Sequence, residues 1–551
     1  MGVTEVRHSA LLDKAVEALA HRGYWSAFPE MPSGKIYGET ARADAEAAFK
    51  ALLGQKFDLP GHPESMRLGA EVSPWGPELS IAYPAASVDA LVAASRAAAA
   101  VWSTVDPARR IDLAAEMVVR LNRMSFLIAN AVMHTTGQAF GMAFQAGGPH
   151  AQDRALEAIA AAKAEIDRVT GSANWEKPQG KADPIRMEKH WTIVPRGIGL
   201  VIGCNTFPTW NSYPALFASL ATGNTVIVKP HPAAILPLAL TVKVAREVLT
   251  EAGLPADVVL LAVDAPGREI TKELVSNKAI GIVDYTGSNA FGDWVRANAG
   301  HAQVFTEEAG VNSIVITGAP DFDAMCANIA FSLALYSGQM CTAPQNIYVP
   351  QGGIETNLGP KSFDEVGAGI AGAIDALLAD PNRGIEITGT IANPATLARV
   401  ADFAKKGRVI RASTPLARPT SASPLLIATT ADDPIVGHEC FGPIAFLVAV
   451  KDAEAGIAAA AELAKSKGAI TAALYAREDA LIDKAVAAFA EAGVNLSINL
   501  TGNIFVNQSA AFSDFHVTGA NPAGNACLTD TAFIVNRFRV AMWRRLLPPA
   551  A

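Results

Sequence analysis

A cysteine behind a Gly-Gln pair and a carboxylate 34 residues before it are the groups of this chain best suited to covalent chemistry. Cys341 closes the run SGQMC, and Glu307 opens the run EEAGVNSIVI, where we expect the start of a strand. Cysteine attacks as its thiolate, which needs a base or a dipole nearby. A carboxylate can then activate water to hydrolyse the thioester. The pair predicts acyl chemistry on Cys341 with Glu307 as the base, and the adjacent Glu308 is an alternative base.

The composition narrows the class of protein. Of 551 residues, 50% are hydrophobic and 18% are charged, and the net charge is −8 without a basic run, which argues against nucleic acid as a partner. Five scattered cysteines without a CxxC spacing indicate a reducing compartment and no metal site. Apolar runs are too short for a membrane span. These features predict a cytoplasmic enzyme of two or three domains.

The elements that must position these groups alternate between strand and helix patterns. The runs 197–203, 224–230, 257–263 and 280–286 are short and β-branched, with helical patterns between them. Such βαβ units predict a parallel sheet that binds ligands beyond the carboxyl ends of its strands. A GxGxxG fingerprint is missing, so this region alone does not identify a dinucleotide site. The same alternation over 317–505 predicts a second α/β layer.

The two motifs around Glu307 and Cys341 resemble those of the aldehyde dehydrogenase superfamily, Glu-Leu-Gly-Gly-Lys-Asn followed by Gly-Gln-x-Cys. The first motif aligns without a gap on Glu307, and the second places Cys341 at the position of the nucleophile. The resemblance covers about 70–505 and implies an aldehyde dehydrogenase-like α/β fold. That fold comprises a Rossmann-type cofactor domain, a second α/β catalytic domain and a small region of oligomerisation strands.

The resemblance also implies a binding mode for NAD or NADP. The segment NTVIVKP matches the strand that ends in Lys-Pro, whose lysine meets the adenine ribose; YTGSNAFG matches the turn that approaches the pyrophosphate; and HECFGP matches the segment near the nicotinamide. The implied cofactor-binding residues are Lys229, Pro230, Gly287, Ser288, Gly292, Glu439 and Phe441.

We expect four parts in the chain. Residues 1–60 form a helical extension packed on the surface, 61–183 and 198–306 the NAD(P)-binding domain, and 307–505 the catalytic domain. Residues 184–197 and 506–551 supply oligomerisation strands, among them a C-terminal strand over 531–543. The resemblance implies a homodimer or a homotetramer.

Departures from the family motifs leave two questions open. The family places an asparagine, an oxyanion donor, directly before Phe-Pro, where this chain has Thr206 with Asn205 one residue earlier, so either residue could donate. After Lys229-Pro230, NAD-preferring members carry a glutamate at the position of Pro232. Because a carboxylate there would repel a 2′-phosphate, its absence favours NADP over NAD.

The segments PHPAA and CNTFPTWN, with these departures, resemble the aldehyde dehydrogenase branch of bacterial phenylacetic acid degradation. That branch implies a small-molecule aldehyde, a CoA-linked semialdehyde from aromatic catabolism, as the substrate. One alternative is a CoA-acylating dehydrogenase, which does not need the glutamate base. Another, from a different class, is a binding or scaffold protein that kept the fold and lost turnover.

Overall fold

The computed structural model describes residues 7–308 and 310–548. The predicted helix at the N-terminus is observed as Ser9–His21, and the part of that prediction over 1–6 lies outside the described residues. No helix in the described ranges combines the length and apolarity that crossing a membrane requires.

A five-stranded parallel sheet forms the first α/β layer, as the run of βαβ patterns predicts. Its strands, from one edge to the other, are Val259–Leu261, Thr225–Lys229, Ile198–Ile202, Ile280–Gly287 and Gln303–Glu308. The helices that follow its strands are Pro208–Ala221, Leu236–Glu251, Thr271–Ser276 and Asn289–Asn298. Because all five strands run in one direction, their carboxyl ends meet at one edge.

Helices from the first third of the chain complete this layer. They are Ser9–His21, Gly34–Tyr37, Ala41–Leu52, Val88–Trp102, Pro107–Arg123, Ser125–Thr136, Phe140–Gln145 and Ala151–Asp167. A short hairpin pairs Met66–Leu68 with Tyr83–Ala85. Leu12 and Ala15 are buried in the same apolar core as the sheet, so the N-terminal helix belongs to this core.

A seven-stranded sheet forms the second layer. Its order is Arg408–Arg411, Leu425–Thr430, Ile444–Val450, Pro344–Pro350, Asn312–Ile316, Thr471–Tyr475 and Asn495–Ile498, and only the first strand is antiparallel to its neighbour. Its helices are Phe322–Ala334, Phe363–Leu377, Pro381–Thr388, Pro394–Phe403, Ala453–Lys467 and Asp479–Ala492. Three short strands, Gly318–Ala319, Ile354–Thr356 and Gly359–Lys361, form a separate small sheet.

The third sheet joins distant parts of the chain. Ala182–Pro195 pairs with both Ser172–Gln179 and the C-terminal strand Phe538–Leu546. The predicted C-terminal strand over 531–543 is wrong in its first part, where a helix, Thr531–Val535, precedes the strand. Asp530 explains that helix, because its carboxylate accepts a hydrogen bond from the backbone N–H of Phe533 and caps the first turn.

Candidate active site

Cys341 follows a backbone turn that only close packing can hold. Tyr336 and Ser337 both have φ of 50°, and Gly338 has φ of 60°, so three consecutive residues adopt the left-handed conformation. The Tyr336 hydroxyl donates to the Thr136 carbonyl at 2.6 Å, and the Ser337 hydroxyl lies 3.1 Å from the carbonyl of Thr388. A side chain at Gly338 would lie 2.4 Å from a backbone oxygen, which explains why glycine occupies this position.

Asn312 fixes the backbone on the other side of Cys341. Its side-chain NH₂ donates to the carbonyls of Cys341 (2.8 Å) and Ala343 (3.0 Å), and its oxygen accepts from the amides of Ile470 and Thr471. The side chain is buried and uses both its donors and its acceptor. The position of the cysteine therefore depends on three strands of the seven-stranded sheet and the loops that precede them.

Glu307 lies next to the cysteine, as the motif spacing suggested. The Cys341 thiol is 3.7 Å from Glu307 Oε1, and the same oxygen accepts from the Asn211 amide at 3.0 Å. His516 Nε2 also lies 2.9 Å from this oxygen, whereas Oε2 is buried without a hydrogen-bond partner in the part of the chain that the structure describes. The expectation of a strand start is wrong, because Glu307 lies near the end of Gln303–Glu308, the edge strand of the five-stranded sheet.

Glu308, the alternative base, has a different environment. Because successive residues of a strand point to opposite faces, the side chain of Glu308 points to the face opposite Glu307. Its carboxylate pairs with Arg296. Arg296 also donates to the Thr306 hydroxyl at 3.1 Å. A side chain at Gly292 would collide with this carboxylate, so glycine at this position leaves room for it. Glu307, and not Glu308, therefore has the geometry to act on Cys341.

Burial keeps the thiols of this region protonated. Burial, with the nearby Glu307 carboxylate, raises the pKa of Cys341 well above its ordinary value. Burial also raises the pKa of Cys204 to about 11. At neutral pH the Cys341 thiol must therefore lose its proton to a neighbouring base before it can attack, and Glu307 is the acceptor in contact with it.

The two oxyanion candidates lie before the helix Pro208–Ala221. The Thr206 hydroxyl contacts Cys204 Sγ at 4.0 Å. The backbone carbonyl of Thr206 accepts a hydrogen bond from the side-chain amide of Gln138 at 2.8 Å. The Asn205 side-chain oxygen is buried and has no hydrogen-bond partner among the described residues. In the described residues neither side chain hydrogen bonds to Cys341, so the structure does not distinguish them. Asn211, which the motif comparison did not single out, is the amide that reaches Glu307.

Lys229 ends the second strand of the five-stranded sheet, followed by the buried Pro230. Its ammonium lies 2.7 Å from Asp264 Oδ1, and both side chains are 3% exposed. The expected NADP preference depended on the missing carboxylate at Pro232, and Asp264 supplies a carboxylate from the next strand. Because Asp264 neutralises Lys229, the ammonium is not free to bind a 2′-phosphate. The Lys229–Asp264 pair therefore weighs against the expected preference for NADP, which stays a prediction.

The remaining cofactor candidates lie at two loops. Gly287 ends the strand Ile280–Gly287, and the exposed Ser288 precedes the helix Asn289–Asn298, whose N-terminus suits a phosphate group. Downstream, Glu439 is exposed and Phe441 is half-buried. Gln345 holds their loop by donating to the His438 carbonyl at 2.9 Å and accepting from the Cys440 amide at 2.6 Å.

A cavity of about 540 Å³ opens onto Cys341. Its walls come from the helical segment 141–153, the loop before Cys341 and the C-terminal loop 503–516. The N-terminal extension also contributes, with Tyr24, Trp25, Ser26 and Glu30. Ser26 donates to Asp153 at 2.6 Å, and the Trp25 ring packs edge-on against Phe512. The segment predicted to pack on the surface therefore also forms a wall of the cavity.

The cavity lining is aromatic and acidic. Aromatic rings line it at several points, among them Phe207, Trp210, Phe331 and Phe505. Four carboxylates outside the Cys341–Glu307 pair also line it, at Glu30, Asp153, Glu386 and Asp514. The lining contains two histidines, His150 and His516, and neither lysine nor arginine is present among its described residues.

Glu307, Cys341 and His516 place potential ligand atoms within 4.8 Å of one another. Thiolate, imidazole and carboxylate are ligand types that zinc accepts. In the structure, however, Oε1 of Glu307 already receives hydrogen bonds from Asn211 and contacts His516. These contacts favour an acid–base role for the cluster.

Comparison with known proteins places these features in a family. The model of the aldehyde dehydrogenase family matches residues 80–520. An N-succinylglutamate 5-semialdehyde dehydrogenase of Burkholderia ambifaria is 29% identical over 375 residues, which cover 66% of this chain and 72% of that protein.

Solved structures agree on the fold. The crystal structure of an NAD-dependent aldehyde dehydrogenase from Burkholderia multivorans is 52% identical, covers both chains completely and has a TM-score of 0.97. An NADP-dependent glyceraldehyde-3-phosphate dehydrogenase from Bacillus halodurans shares the fold at 17% identity, with a TM-score of 0.69 over 88% of this chain and all of that one. The predicted fold class is thereby confirmed. The chain belongs to the aldehyde dehydrogenase family and is an NAD(P)-dependent oxidoreductase.

Proposed function

We propose that this enzyme oxidises an aldehyde to the carboxylic acid through a thioester on Cys341. The observation that supports this most directly is the 3.7 Å contact between the Cys341 thiol and Glu307 Oε1 in a buried site. Glu307 accepts the thiol proton, and the thiolate adds to the aldehyde carbon to give a thiohemiacetal. A side chain before Pro208, either Asn205 or Thr206, stabilises the oxyanion.

The nicotinamide of NAD(P) supplies the hydride acceptor for the oxidation to the thioester. Lys229, Pro230, Gly287, Ser288 and Gly292 would bind the nucleotide, with Glu439 and Phe441 at its nicotinamide end. The helix N-terminus after Ser288 is the part of this set with a general affinity for phosphate.

Water then releases the product. Glu307 first releases the thiol proton to solvent and then takes a proton from water as the oxygen adds to the thioester carbon, and the Cys341 thiolate leaves. A CoA-acylating enzyme would transfer the acyl group to CoA without this base. The buried Glu307 beside the thiol therefore favours hydrolysis over CoA acylation.

For the substrate we propose an aldehyde whose chain is uncharged where it lies in the cavity, such as the CoA-linked semialdehyde of the phenylacetate branch. A thioester is neutral, and the lining offers aromatic rings and carboxylates. The succinylglutamate semialdehyde that names the Burkholderia ambifaria relative carries carboxylates. Such a substrate would meet Glu30, Asp153, Glu386 and Asp514 without a lysine or arginine among the described lining residues, which is unfavourable by like-charge repulsion.

We also propose that the three-stranded sheet mediates a homodimer or a homotetramer. Its C-terminal strand exposes apolar side chains that a monomer would leave in water: Val540, Met542, Trp543 and Leu546. Five cysteines without disulfides fit a cytoplasmic location.

A panel of aldehydes tests the proposal. The purified enzyme is supplied with NAD or NADP and with free aldehydes, a dicarboxylic semialdehyde and CoA-linked semialdehydes, while cofactor reduction and products are measured. We expect a free acid as the product and the highest kcat/KM for an uncharged chain. An acyl-CoA formed from added CoA would support the acylating alternative, and cofactor binding without turnover on any aldehyde would support the scaffold alternative.

A further inference from the structure

His516 is a buried residue that no motif of the sequence marks. It lies in the C-terminal loop that follows the last strand of the seven-stranded sheet, and its side chain is 3% exposed. The Trp210 ring packs edge-on against the imidazole with centroids 4.6 Å apart. The ring is therefore fixed beside the helix Pro208–Ala221, which also carries Asn211.

The hydrogen bonds to Glu307 are distributed unequally between its two oxygens. Oε1 accepts from Asn211 at 3.0 Å and lies 2.9 Å from His516 Nε2, and the thiol of Cys341 also contacts it. Oε2 is buried and has no hydrogen-bond partner among residues 7–308 and 310–548. A carboxylate fixed through one oxygen leaves the other as its free basic atom.

Asn211 provides one hydrogen bond to this carboxylate. Its side-chain NH₂ donates to Oε1 at 3.0 Å, and its own side-chain oxygen accepts from the Cys204 thiol at 3.5 Å. The backbone of Glu307 is already held by its strand and by a bridge to Gly524. Backbone contacts do not restrict rotation of the Glu307 side chain, whereas a hydrogen bond from His516 does.

We propose that His516 is a positioning residue for Glu307: it donates from Nε2 to Oε1 and so presents Oε2 to the water that hydrolyses the thioester. This inference rests on the proposed function. In that step the water oxygen bonds to the thioester carbon, its proton passes to Oε2, and the carbon–sulfur bond breaks to release the Cys341 thiolate. His516 itself does not contact the reacting atoms.

Hydrolysis of p-nitrophenyl acetate by the full-length enzyme isolates this step, because the ester acylates a cysteine without any cofactor. The burst of p-nitrophenolate counts acylated Cys341, and the steady rate reports deacylation. For His516→Ala we expect a burst near one per site and a steady rate about 10- to 100-fold lower, the cost of losing a hydrogen bond to a charged group.

Two further variants separate positioning from folding. His516→Gln retains an amide donor and should recover most of the steady rate that His516→Ala loses. His134→Gln is the matched control, since His134 is a partly buried histidine that stacks on Phe49 and contacts Ser73 outside the cavity lining. It should leave the steady rate unchanged.

The possible results distinguish a failure of the proposed function from a failure of the role of His516 alone. A wild-type burst that persists in Cys341→Ala overturns the proposed function. A burst that depends on Cys341, combined with wild-type deacylation in His516→Ala, overturns only the role of His516. Equal losses in His516→Gln and His516→Ala also overturn it, because the amide donor would then have no effect.

Discussion

Lys229 and Cys341 mark the two halves of the site, and the chain supplies their surroundings in different ways. Lys229 ends one strand, and its partner Asp264 follows the next strand of the same sheet, 35 residues later. Cys341 meets Glu307 from the other sheet and, in its cavity, residues 24–30 and 503–516 from opposite ends of the chain.

This difference determines which half of the site can change in sequence without altering the fold. The cofactor crevice is built from consecutive βαβ units, so its position follows from the sheet itself. The acyl cavity is closed by loops from the two ends of the chain, and loops can change without altering the scaffold. We therefore expect cofactor binding to follow from the fold, and the choice of aldehyde to depend in part on residues 24–30 and 503–516.

The largest effect is expected at the nucleophile. Cys341→Ala should lower turnover by about 10⁴-fold or more, because Cys341 is the cysteine that lines the cavity and contacts Glu307. Cofactor affinity, measured by titration calorimetry, should remain, since the cofactor crevice is separate. Cys440→Ser is the control and should keep part of the activity; normal turnover by Cys341→Ala would contradict the assignment.

The adjacent glutamates should differ sharply. Glu307→Gln should give about one reduced cofactor per site, because the thiol can still lose its proton slowly to water, and then turnover slower by about 10²- to 10⁴-fold, because hydrolysis of the thioester requires the base in every cycle. Mass spectrometry should detect the acyl group on Cys341. Glu308→Gln should retain its activity per folded molecule, since this carboxylate contacts Arg296. Equal kinetics in both variants would contradict the division of roles.

A smaller effect is expected at the N-terminal wall. Trp25→Ala should lower kcat/KM by about tenfold for a long aldehyde, because it removes apolar contact area from the cavity. Acetaldehyde is the internal control, since its chain is too short to reach a distant wall. A uniform loss for both aldehydes, measured by steady-state kinetics, would indicate a structural defect and not a role in specificity.

An effect of similar size is expected in the cofactor crevice. Wild-type enzyme should bind NAD more tightly than NADP, and Asp264→Asn should shift the ratio of affinities toward NADP by about tenfold, because Lys229 then has a free charge. Fluorescence titration measures both affinities without a substrate. If the wild-type enzyme instead prefers NADP, the missing carboxylate at Pro232 determines the preference and the Asp264 carboxylate does not.

The sequence alone was sufficient to predict the family, the fold class and the pairing of Cys341 with Glu307, because the signals for them are local motifs in a fixed order. It placed Glu307 at a strand start, since the apolar run NSIVI is a stronger strand pattern than the preceding QVFTEE. The domain boundaries and the roles of the site residues stay predictions.

The missed residues share a physical reason. His516 lies 209 residues from Glu307, and Asp153 lies 127 residues from Ser26. Neither pair has a pattern in the sequence, because only tertiary packing brings the members together. Asp264 could have been predicted from the sequence. It lies just beyond the third parallel strand in chain order, where a nucleotide-binding crevice places its polar contacts.

The left-handed turn before Cys341 links the reactivity of the enzyme to its assembly. Tyr336 is tied to the Thr136 carbonyl in the first α/β layer, and Ser337 to Thr388 in the second. Three consecutive residues would not keep this conformation without those ties. A chain in which one layer has folded before the other therefore lacks a placed nucleophile, so the catalytic position of this cysteine is formed only when both layers have assembled.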